Sequence, residues 1–124
     1  MNQQSSQSLF EECLSLCREL IASPSVSGEE RGVADALSGY FRKCGVTEIV
    51  TDRCGSLVAF MRGDKPGKTI LFDGHMDTVP VVDGEKWPHG PYAGEIENGR
   101  LYGRGASDMK CALACMAVAA AAHW

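Results

Sequence analysis

Two short stretches hold the residue types best suited to chemistry. The first is Asp73-Gly74-His75-Met76-Asp77-Thr78-Val79-Pro80, which follows the uncharged run Thr69-Ile70-Leu71-Phe72. That run is expected to be a buried strand, so the loaded residues sit where it should surface, and the carboxyl ends of strands in open α/β sheets are where sites are built. His75 and Asp77 lie two apart on extended chain and therefore share one face. The carboxylate then sits close to the imidazole and can fix which ring nitrogen is left free for a metal. The second stretch, Gly103-Arg104-Gly105-Ala106-Ser107-Asp108-Met109-Lys110, is a glycine-rich loop delivering Asp108 at the start of an apolar helix. One imidazole plus carboxylate oxygens, with no thiolate required, suits a hard-to-borderline divalent ion: zinc first, with manganese or cobalt as alternatives. If the two oxygens of Asp108 face different ions, the pair of metals would hold a water and lower its pKa, which points to hydrolysis of amide bonds.

The elements that must position these residues can be read from periodicity and caps. Ser8-Leu-Phe-Glu11 is a capping box, followed at helical spacing by Leu9, Phe10, Cys13, Leu16, Cys17, Leu20 and Ile21, with a stop near Ser23-Pro24. Ser27-Gly-Glu-Glu30 reads as a second capping box, opening a helix with Val33, Leu37, Tyr40, Phe41 and Cys44 inward and Gly45 closing it. Thr47–Thr51 and Ser56–Met61 read as strands. Residues 82–93 read as an irregular loop. Asn98-Gly99 is a strong hairpin signal between Glu95–Glu97 and Arg100–Tyr102. Asp108 to His123 reads as a helix. The order is that of an α/β protein. Its one buried strand and alanine-rich last helix lack neighbours, so the fold is expected to be incomplete.

Bulk properties narrow the function classes. The 124 residues allow one domain at most, with 44% hydrophobic and 23% charged residues. A net charge of −4 with scattered Lys and Arg argues against nucleic acid as a partner. Met1–Gln7 is polar without a signal-peptide pattern, and the apolar stretch from Cys111 to Trp124 is too short to span a membrane. A cytoplasmic protein without membrane contact is the expectation. The six cysteines form no Cys-x-x-Cys pair, and they are expected to be free, buried, hydrophobe-like thiols rather than metal ligands.

Taken together, Asp73–Pro80, then Trp87, then Gly99–Lys110, with the upstream entry Ser23-Pro-Ser-Val-Ser-Gly-Glu-Glu30, resemble the zinc-dependent metallopeptidase and deacylase family. That family includes acetylornithine deacetylase, succinyl-diaminopimelate desuccinylase, aminoacylase and glutamate carboxypeptidase. The resemblance implies the N-terminal portion of a three-layer α/β/α catalytic domain with an incomplete sheet. It implies that His75 ligates one zinc, that Asp77 holds the other nitrogen of His75 as a catalytic residue, and that Asp108 bridges two zincs. It also implies a cis peptide bond between Asp108 and Met109. The expected substrate is a peptide or an N-acyl amino acid, hydrolysed through di-zinc-activated water.

The same resemblance implies parts that the 124 residues do not hold. These are a Glu-Glu pair carrying the general base and a ligand, a further acidic ligand, a late histidine ligand, and a lid domain bearing the homodimer interface. The chain is therefore expected to be a truncated N-terminal segment, inactive by itself. The alternative is a noncatalytic binding module using an exposed sheet edge and the alanine-rich helix. Cys111 stands where the family has glycine. Among the remaining residues, Arg104 is expected to brace its loop, Lys110 to be solvated, Trp87 and Tyr92 to pack the loop, His89 to lie at the surface and His123 at the fraying end. Glu29 and Glu30 are assigned to the helix cap.

Overall fold

The computed structural model describes residues 5–124, so Met1–Gln4 of the polar leader lie outside the described residues. Three helices make the body: α1 (Ser6–Ala22), α2 (Arg31–Lys43) and α3 (Cys111–Ala122). Two antiparallel pairs accompany them, β1 (Glu48–Thr51) with β2 (Leu57–Phe60), and β3 (Glu95–Glu97) with β4 (Arg100–Tyr102). The class is α/β, with small sheets rather than one continuous sheet among the described residues.

The core forms where the three helices meet. Leu16, Cys17 and Leu20 of α1 pack with Val33 and Leu37 of α2 and with Leu113, Ala114, Ala117 and Val118 of α3. Alanines at 114 and 117, 0% and 4% exposed, let the α3 backbone approach α1 closely. Leu20 and Ile21 are fully enclosed, and each contributes roughly 1.5–3 kcal/mol by leaving water. Tyr40 Oη donates to Glu12 Oε1 at 2.8 Å, tying α2 to α1. Helix α2 ends as expected at Gly45, whose φ of +91° suits glycine. Val46 N bonds back to Phe41 O and Gly45 N to Arg42 O, the paired pattern that satisfies a helix's last carbonyls. The β3–β4 hairpin turns at Asn98 and Gly99, both at positive φ, as the sequence predicts.

Several expectations are corrected. The cap of α1 is Ser5, whose hydroxyl accepts from Ser8 N, so the helix starts a turn earlier than the Ser8 box implies. Phe10 faces outward at 61% exposure. At α2 the N-cap is Glu30 with no side-chain cap bond, and its carboxylate accepts instead from Gly28 N. The last helix begins at Cys111, because Asp108 and Met109 take extended-region φ values that break the helical path.

The largest correction concerns Thr69–Phe72, which is not a strand and is not buried. Ile70, Leu71 and Phe72 are 77%, 82% and 56% exposed. A strand needs a partner for its N–H and C=O groups, and no described strand lies alongside. Among the described residues, the ladder contact nearby is a single parallel bridge between Val26 and Thr78.

Candidate metal centre

That bridge is what holds the first motif. Thr78 N donates to Ser25 O at 2.7 Å, and the fully buried Ser25 hydroxyl donates to Met76 O at 2.9 Å. The segment after α1 thus clamps both sides of Asp77. From the other side α3 presses on the loop at Gly74. A Cβ there would meet Met109 Cε at 2.9 Å, Leu113 Cδ2 at 3.0 Å and Met116 Cε at 3.1 Å, so only a hydrogen fits. The second motif turns at Gly105, with φ of +80°, where a Cβ would come within 2.7 Å of Thr78 Cγ2. The two motif loops therefore touch, and the touching points are glycines because nothing larger fits.

This packing brings the three singled-out residues together. His75 Nδ1 lies 3.0 Å from Asp77 Oδ1 and 3.1 Å from its carbonyl, while His75 Nε2 lies 2.9 Å from Asp108 Oδ1. With Nδ1–H donating to Asp77, Nε2 is the atom turned toward Asp108. Asp108 sits at the cis peptide bond to Met109, as the resemblance implies. The hydrogen bond to Asp108 is the main reason the His75 pKa lies above its ordinary 6.5; desolvation opposes it, and the Asp77 contacts add to it. Asp77 is held below the usual carboxylate range, first by a hydrogen bond from the Ser27 hydroxyl at 2.5 Å and then by His75. These residues line an open cleft of about 290 Å³, floored by Gly103, Arg104 and Gly105.

Reading the sequence missed two contributors. Ser27, assigned to a helix cap, instead bonds the Asp77 carboxylate; its inclusion in the upstream part of the resemblance was the available signal. Lys110, expected in solvent, is 1% exposed, with Nζ donating to Ser23 O at 2.6 Å. The bend at Asp108–Met109 turns its stem inward against Gly105, and burial lowers its pKa to about 8.

Arg104 does brace its loop. Its guanidinium lies 4.9 Å from the Trp87 ring centre, and Nη2 reaches Pro80 O at 3.4 Å, while the buried Nε has no hydrogen-bond partner. His89 is not a surface residue: its side chain is 14% exposed and its ring lies 4.1 Å from that of Tyr102. Its nitrogens face Glu95 at 3.0 Å and Glu97 at 3.5 Å, two carboxylates on one face of β3. This second cluster stands apart from His75. Of the cysteines, Cys17 is buried whereas Cys54 and Cys115 are exposed, so the hydrophobe reading does not hold for all six.

Among the described residues no three His, Cys, Asp or Glu side chains are placed as a complete metal cage. The chain supplies two donors on one point, His75 Nε2 and Asp108 Oδ1, with Asp77 behind the imidazole. That donor set is of the right kind for zinc but smaller than the three protein ligands a catalytic zinc takes.

Helices with small antiparallel sheets make up part of an α/β domain, with a His–Asp–Asp cluster where their loops meet. Residues 71–123 match the family described as Peptidase family M20/M25/M40, which is the metallopeptidase and deacylase family that the motifs resemble. It is 40% identical over 113 residues to a succinyl-diaminopimelate desuccinylase of Methylorubrum extorquens, covering 86% of this chain and 29% of the relative. A protein of the same name from Rhodopseudomonas palustris is 39% identical over 114 residues, covering 88% and 29%. Another, from Cereibacter sphaeroides, is 38% identical over 109 residues, covering 86% and 29%. The chain thus spans less than a third of the length of these relatives. No helix among the described residues is long and apolar enough to cross a membrane.

Proposed function

We propose that this chain is the N-terminal segment of the catalytic domain of a metal-dependent amide hydrolase, a peptidase or N-acyl amino acid deacylase. His75 and Asp108 are its first two zinc ligands and Asp77 is the residue that orients His75. In this reading the remaining ligands, the general base, the lid and the homodimer interface belong to sequence beyond residues 1–124. The observation that carries the proposal is His75 held between two carboxylates, one on each nitrogen. The exposed Ile70-Leu71-Phe72 run supports it, being an apolar segment of strand composition that further strands of a larger sheet would cover. The names of the relatives favour an N-succinyl amino acid among the acyl substrates. Six free thiols fit a cytoplasmic location.

When bound, a divalent ion would supply the Lewis acidity that polarises an amide carbonyl and lowers the pKa of water. Cobalt or manganese could replace zinc on the same donors. The chain's own residues do the positioning. Asp77 holds the Nδ1–H, which leaves the Nε2 lone pair as the one that would hold an ion. The Ser27 hydroxyl bonds and orients the Asp77 carboxylate, and the Arg104–Trp87 stack and Gly105 fix the loop that carries Asp108. With two ligands in place of three, the 124 residues alone are inactive in this reading.

The test is to purify the protein bearing this sequence from its source cells, weigh it, and assay N-succinyl and other N-acyl amino acids with and without a chelator. The expectation is a mass well above 13.3 kDa and hydrolysis that the chelator abolishes and zinc restores. A mass of 13.3 kDa with no zinc-dependent hydrolysis would overturn the proposal and favour the noncatalytic binding module.

A further inference from the structure

Four of the six cysteines face one another across the α1–α3 contact, and none of them lines the His75 cleft. Cys13 and Cys17 lie one turn apart on α1, and Cys111 and Cys115 one turn apart on α3. The two helices bring 13 opposite 115 and 17 opposite 111, the order of an antiparallel pair. Cys13 Sγ and Cys115 Sγ are 3.3 Å apart, whereas the Cys17 thiol reaches the Cys111 carbonyl at 3.9 Å. Cys115 is exposed and Cys13 half-buried, so a reagent in solution can reach the first while the second waits beside it. Cys44 and Cys54 lie elsewhere in the fold, after α2 and in the β1–β2 turn.

We propose that Cys13 and Cys115 form an oxidisable thiol pair, closed to a disulfide by a low-molecular-weight disulfide such as glutathione disulfide, which staples α1 to α3. The Cys115 thiolate attacks one sulfur of the reagent, forming a mixed disulfide and expelling one glutathione as its thiolate. The Cys13 thiolate then attacks the Cys115 sulfur, forming the protein disulfide and expelling the second glutathione. The two protons given up by the protein thiols end on the two glutathiones. Two protein thiols are oxidised and one small disulfide is reduced. Burial, helped by the neighbouring Cys115, raises the Cys13 pKa to about 11, so only a small fraction of Cys13 is thiolate at neutral pH. The bond would link positions 102 residues apart and fix the helix that starts just after Asp108.

The experiment is exchange of the native 124-residue chain with glutathione disulfide to completion, capping of the remaining thiols, and peptide mapping without reductant. The expected dominant product links the Cys13 and Cys115 peptides with a loss of about 2 Da, the two thiol hydrogens. The thermal midpoint should rise by roughly 10 °C and return on reduction. The C54S variant should behave identically, and C13S should stop at the glutathione adduct on Cys115. A dominant link between Cys17 and Cys111, any dominant link to Cys54, or a persistent adduct without cross-link in the unaltered chain overturns the proposal. None of these outcomes depends on the metal reading.

Discussion

Replacing Gly74 by alanine tests whether contact with α3 is what places His75. Its φ is not in the left-handed region, so the effect is steric. The new methyl would stand 2.9, 3.0 and 3.1 Å from Met109 Cε, Leu113 Cδ2 and Met116 Cε. Carbon pairs settle at about 3.5–4.0 Å, so each neighbour must retreat by about 0.5–1 Å. The two methionine ends can swing aside. Leu113, 8% exposed in the helical core, cannot do so without disturbing α1. Overpacking of this kind costs about 1–3 kcal/mol. Part of it should be relieved by moving the loop off α3, which separates His75 Nε2 from Asp108. Since that contact is the largest cause of the raised His75 pKa, G74A should lower it toward 6.5. Urea unfolding reads the stability, and an NMR titration of the His75 ring protons reads the pKa. M116A added to G74A should recover part of both. A variant with unchanged unfolding midpoint and unchanged His75 titration would refute the reasoning.

Three further expectations follow from the same contacts. Ser27→Ala removes the main influence holding Asp77 down, so the Asp77 carboxyl should titrate closer to 3.8 in a carbon-detected NMR titration, and an unmoved carboxyl would deny Ser27 its role. Lys110 is charged in folded and unfolded chains alike below about pH 8, where its burial cost is fully felt. Between about 8 and 10.5 only the unfolded chain keeps the proton, so stability should rise with pH across that window and Lys110→Met should flatten the rise in unfolding curves. Zinc and the proton compete for His75 Nε2, so calorimetric titration in buffers of different ionisation enthalpy should show proton release and an affinity that grows as pH rises through the raised His75 pKa.

The local signals were legible where local physics decides. Helical periodicity found the apolar faces of α1 and α2, Gly45 marked the end of α2, and Asn98-Gly99 marked the hairpin, because each depends on neighbours within a few residues. The grouping of His75, Asp77 and Asp108 was legible from period-two spacing and from the resemblance between motifs. What escaped depends on distant partners. Thr69–Phe72 has the composition of a strand, yet a strand exists only beside another, and none is described there. Ser27 fits a capping pattern, but its hydroxyl found a carboxylate 50 residues away. Lys110 is long enough that the bend at Asp108–Met109, rather than its own charge, decided where its ammonium went.

The most direct test of the central claim is paramagnetic mapping of the 124-residue chain, recording amide and ring signals as manganese(II) is added in small steps. Binding at the His75–Asp108 pair should first erase signals of residues 74–78 and 105–109, and H75A or D108A should abolish that selectivity. Erasure centred on His89, Glu95 and Glu97, or spread evenly over exposed carboxylates, would contradict the assignment of His75 and Asp108 as the metal ligands.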